Sequence, residues 1–99
     1  MLHIVNKSPF DRNSLESCLR LATSGSAVLL IEDAVYGATA GSSVESKVQG
    51  AMSNLKVYAL DADLMARGVA DRVLEGVTVV NYGGFVDLVA EHGNLQSWL

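Results

Sequence analysis

A chain of 99 residues, 49% of them hydrophobic and carrying a net charge of −4, has narrow options. It makes one domain over residues 1–99 and alone buries only about two-thirds of its unfolded surface, so this much apolar side chain points to surface covered by another chain. The acidic balance disfavours direct nucleic-acid or anionic-membrane contact. The single cysteine, Cys18, excludes an internal disulfide, and with His3 and His92 it has no zinc-ligand spacing, so neither a metal nor a cofactor is expected. The opening residues lack a cationic start and a long apolar run, and no apolar run approaches the ~20 residues a bilayer needs. A reducing cytoplasm is the expected compartment.

Residues 2–5, short and apolar, read as a first strand. A loop broken by Ser8-Pro9 follows. Asn13 reads as a helix N-cap with Glu16 as its capping-box partner, and Leu15, Cys18, Leu19 and Ala22 fall on one helical face before Gly25 ends the segment. Residues 27–31 are a continuous apolar run, suited to a strand buried on both faces of a parallel sheet. Residues 32–43, rich in small residues, read as a loop with one helical turn near Val35-Tyr36. Residues 44–52 read as a second helix capped by Ser43.

Residues 55–60 read as a third strand. Asp61 or Asp63 then caps a short helix through Arg67, with Gly68 as its stop. Residues 77–80 form a fourth strand, and Asn81 caps a last helix over Tyr82–His92 that buries Phe85, Leu88 and Val89 and ends at Gly93. Residues 96–99 add a short edge strand. This alternation predicts an α/β fold: a three-layer α/β/α sandwich with a small, mainly parallel sheet. Sites in such sheets lie beyond the carboxyl ends of the strands.

The chemistry-bearing residues are few. Cys18 is the candidate nucleophile, but its mid-helix, apolar-face position favours packing over a reactive thiolate. His3, in the first strand with Leu2 and Ile4 facing away from it, reads as a half-buried, hydrogen-bonded histidine. Asp33, Asp61 and Asp63 fit capping and solvation better than acid–base work, and Arg67 fits pairing with an acidic neighbour. The Gly83-Gly84 pair fits close backbone packing better than anion binding. Tyr36, Tyr58, Tyr82 and Trp98 suit either core or partner contact. No phosphate-loop pattern is present, which weakens a small-ligand reading.

These stretches, taken in order, resemble the DsrH/TusB family. Met1-Leu2-His3 and Asn6-Lys7-Ser8-Pro9-Phe10 resemble its opening. Glu32-Asp33-Ala34-Val35-Tyr36 resembles its second-strand exit, with Ala34 in place of the commoner glycine. Val57-Tyr58-Ala59-Leu60, Asp63-Leu64 and Ala66-Arg67-Gly68 resemble its third-strand signature. Tyr82, Phe85-Val86 and Leu88 resemble its last helix, and Trp98-Leu99 its terminus.

The resemblance implies a DsrEFH-like fold and a place in a dimer of heterotrimers with two sister subunits of the DsrE/TusD and DsrF/TusC types. It implies an accessory role in passing persulfide sulfur toward 2-thiouridine at the tRNA wobble position; the alternative is a DsrH-type subunit of dissimilatory sulfur oxidation. In the family the main sulfur-carrying cysteine belongs to a sister, after its third strand. Here that region reads Ala59-Leu60-Asp61, which argues for a non-catalytic subunit. The stretch from Arg12 to Leu19 resembles the sulfur-oxidation members, which carry a cysteine at the position of Cys18, so the resemblance also implies Cys18 as a persulfide carrier.

Overall fold

The computed structural model describes residues 1–98, so Leu99, the end of the edge strand expected over residues 96–99, lies outside the described residues. Strands run over Leu2–Val5 (β1), Ala27–Leu30 (β2), Lys56–Leu60 (β3), Thr78–Val80 (β4) and Leu95–Trp98 (β5). Helices run over Ser14–Leu21 (α1), Glu45–Ala51 (α2), Asp61–Ala66 (α3) and Tyr82–His92 (α4), with 3-10 turns at Glu32–Ala38 and Ala70–Arg72. Among the described residues the strands form one fully parallel sheet in the order β4-β3-β2-β1-β5.

The two-residue period of a strand sorts the side chains onto two faces. Val5, Val28, Leu30, Val57 and Ala59 point to one face and meet Leu15 and Cys18 of α1, Val48 of α2, Leu64 of α3 and Ala34, Val35 and Ala38 of the first 3-10 turn. Leu2, Ala27 and Leu29 point to the other face, where Leu88 of α4 covers them with Phe85 and Val89 alongside. Every residue of β2 is buried, which explains its unbroken apolar run. Each large side chain so buried contributes about 1.5–3 kcal/mol.

The unequal layers follow from chain order. From β1 to β4 the chain steps across the sheet in one direction, so connections of common hand put α1, α2 and α3 on one face. The step from β4 to β5 runs back across the whole sheet and puts α4 on the opposite face. The result is the expected α/β/α sandwich, with several segments on one side and, among the described residues, one helix on the other.

The expected caps hold at one helix and fail at three. Asn81 Oδ1 accepts the Gly84 N–H at 2.9 Å and Gly93 closes α4 in the left-handed region at φ 71°. Asn13 stands at the N-cap of α1 as expected, but its side chain makes no cap hydrogen bond, and Glu16, its expected partner, pairs with Lys47 of α2 at 2.6 Å. Val44, not Ser43, stands at the N-cap of α2, and Glu45 instead accepts the Gly41 N–H at 2.8 Å. Leu60 stands at the N-cap of α3, since Asp61 and Asp63 already lie in its first turn.

Candidate functional site

Cys18 sits on the inner face of α1 at 0% exposure, among the core side chains of the sheet's covered face. Burial pushes its thiol up to about 12. A persulfide is passed by a thiolate attacking a sulfane sulfur, and burial under a docked α1 works against both the charge and the access that step needs. The helical spacing alone anticipates this placement.

The carboxyl ends of β2 and β3 hold a polar cluster. Glu32 leaves β2 with φ at 50°, a backbone shape that side chains rarely adopt. Asp63 holds it there: its Oδ2 accepts the Glu32 N–H at 2.7 Å. Arg67 braces the same corner, donating from Nε to Asp33 Oδ1 at 2.8 Å and lying 3.5 Å from Asp63 Oδ1. The strain that an alanine would bring to a glycine position is therefore absent from Ala34, which is buried within the 3-10 turn while Glu32 takes the positive φ. The sequence singles out Asp33, Asp63 and Arg67 separately; the lock on Glu32 has no local signal.

Asp61 opens α3 at the place where the resemblance puts a sister's sulfur-carrying cysteine, and its Oδ1 accepts the Ala62 N–H at 2.6 Å. Asp33 and Asp63 pair with Arg67 at this corner, and Asp61 lies in the same first turn of α3 as Asp63. An acidic corner raises the cost of a thiolate or persulfide anion, the reverse of what a sulfur carrier needs. The corner is built to fix two strand exits together.

The direction of the chain reverses between β1 and β5, the position where α/β sheets open a crevice. Here the strands are tied across it: Trp98 Nε1 donates to His3 Nδ1 at 3.1 Å. That bond fixes His3 as neutral, since Trp can only donate. Burial, with the N-terminal ammonium adding to it, lowers the His3 pKa below its usual 6.5. Asn6, just beyond β1, has a buried Oδ1 with no hydrogen-bond partner among the described residues. The glycine pair opening α4 packs as expected at Gly84, where an added Cβ would lie 3.0 Å from Val80 Cβ. Tyr58 and Trp98 are half-buried, Tyr36 lies against exposed Phe10 with ring centroids 6.5 Å apart and planes tilted by 44°, and Tyr82 stands out into solvent with its ring edge-on to Phe85.

Known proteins agree with this geometry. The family described as DsrH like protein matches residues 7–95. The chain belongs to the DsrH/TusB family of sulfur-relay subunits. Protein TusB of Shigella flexneri is 34% identical over 98 residues, covering 99% of this chain and all of that one. Protein TusB of Escherichia coli strain K12 is 33% identical over the same span. The crystal structure of the ychN protein from E. coli superposes with a TM-score of 0.84 over 98% of this chain and 97% of that chain, at 19% identity. A protein of unknown function from Methanobacterium thermoautotrophicum gives 0.74 over 97% and 95%, at 22% identity. At those identities the two structures establish the fold. Among the described residues no helix is long and apolar enough to cross a membrane.

Proposed function

We propose that this chain is a non-catalytic subunit of a cytoplasmic persulfide sulfurtransferase relay, and that the relay serves 2-thiouridine formation at the tRNA wobble position. It folds as one DsrH/TusB-like domain and stands with DsrE/TusD-type and DsrF/TusC-type sisters in a dimer of heterotrimers. The observation that carries the reading is Cys18: the chain's one thiol is sealed under α1 and its pKa is raised to about 12. With Asp61 and an acidic cluster where the sister's cysteine would stand, the chain positions a carrier and leaves the carrying to it. The TusB relatives, matching end to end, favour the tRNA branch over sulfur oxidation. Tagged chain drawn gently from its own host and weighed by native mass spectrometry tests this. Equal copies of this chain and two small sisters are expected; recovery of the chain alone, or with copies of itself, would overturn the reading.

A further inference from the structure

Between α1 and α2 the surface of the helical layer is furrowed. The cleft has a volume of about 330 Å³, and its floor is formed by Leu19 and Ala51, both half-buried and packed against the core beneath. Glu16 and Arg20 line it from α1 and Lys47 from α2, and a narrower continuation runs past Glu16 and Lys47 toward Arg12. Three of the chain's seven Lys and Arg residues thus stand along one furrow, with one carboxylate among them, in a chain whose net charge is −4. Lys47 is engaged by Glu16 at 2.6 Å. Arg12 and Arg20 are exposed and have no ion pair among the described residues. The hydrogen bond and charge of Lys47, with the charge of Arg20 adding to them, hold the Glu16 carboxyl below its usual range. The furrow therefore favours negative charge at its rim and apolar surface at its floor.

We infer that the furrow between α1 and α2 is a binding site for a small organic anion, one acidic group carried on a compact apolar body. The body lies on Leu19 and Ala51. The acidic group meets the Arg20 guanidinium, whose planar fork matches a carboxylate, with Lys47 facing it from the other helix. The cleft sits at the small end of ligand sites, which span about 300–1,000 Å³, and so suits a compact molecule. A nucleic acid does not fit, because three cations in a net-negative chain neutralise too few phosphates. Glu16 is the built-in competitor, since it engages Lys47 while the cleft is empty. The site is formed by this chain alone and is independent of the proposed place in a relay.

The test titrates the full chain with naphthoate, and with naphthylmethanol as the same rings without the charge, by isothermal calorimetry. Naphthoate is expected to bind at least about tenfold more tightly than the alcohol and to weaken as salt rises. Arg20→Gln, at an exposed position, is expected to weaken naphthoate at least about tenfold with the melting temperature unchanged. Ala51→Leu, which fills the floor, is expected to abolish binding while both rims remain. Glu16→Gln is expected to tighten naphthoate several-fold by freeing Lys47, a gain that a purely structural role for Glu16 would not give. Equal binding of the two compounds, or binding that none of the three substitutions moves, would overturn the site. Absence of saturable naphthoate binding would overturn it as well. An oligoglutamate peptide that binds through Arg20 where naphthoate does not would make the occupant an acidic chain and overturn the small-anion assignment.

Discussion

The two faces of the sheet are finished to different degrees. On one face α1, α2, α3 and a 3-10 turn close over Val28, Leu30, Val57 and Ala59, and these four side chains are almost without exposure, while Leu19, Tyr36, Met52, Val77 and Trp98 lie partly exposed at the margin. On the other, α4 covers Leu2, Ala27 and Leu29 but leaves Ile4, Tyr58, Val80, Phe85 and Val89 half-buried, and its own outer flank is apolar. The difference teaches where stability resides. The closed face carries the larger buried core, and it also seals away the chain's one thiol.

Substitutions should fall unequally across that divide. Leu30→Ala, in the closed core, should cost about 2–5 kcal/mol, because the packed segments around it cannot collapse into the space; urea unfolding reads it as a shifted midpoint at constant slope. Leu88→Ala, under α4, should cost about 2 kcal/mol, the low end of the same range, because a single helix can settle closer to the sheet. Equal losses at the two sites would erase the distinction between the faces. Asn81→Ala should cost about 1 kcal/mol by freeing the Gly84 N–H, and hydrogen exchange should rise in the first turn of α4 while the closed face stays protected.

The smallest effect is a pH dependence at His3, which ties β5 to β1. Its folded pKa lies below the unfolded 6.5, so the unfolded chain takes up the proton first as pH falls. His3 therefore costs the fold nothing above about pH 6.5 and destabilises it progressively below that value, until the folded form protonates as well. Unfolding measured at pH 8, 6 and 5 should show this loss, and His3→Gln should flatten it.

Much of this was legible in the sequence because its signals are local. The bounds of β1, the continuous run of β2, and the Asn81-to-Gly93 frame of α4 depend on residues within a few positions of one another. The N-cap position of Asn13 was legible but its capping box does not form, and the caps at Ser43 and Asp61 were misread because those helices begin elsewhere: Glu16 reaches Lys47 and Asp63 reaches Glu32, each across 31 residues. The positive φ at Glu32 was likewise invisible, since it is held by a carboxylate from another strand exit. Burial of Cys18 was legible from helical spacing, and the family from the ordered set of short matches.

The central claim is that this subunit supports a sulfur relay without carrying sulfur itself. The most direct measurement is the rate of sulfur transfer through the reconstituted relay when Cys18 is replaced by Ala, with assembly checked by native mass spectrometry. The account predicts an intact complex and a wild-type rate, with no gain of sulfur mass on the native chain after exposure to a loaded donor. Loss of transfer from a complex that still assembles would contradict it and make Cys18 a carrier.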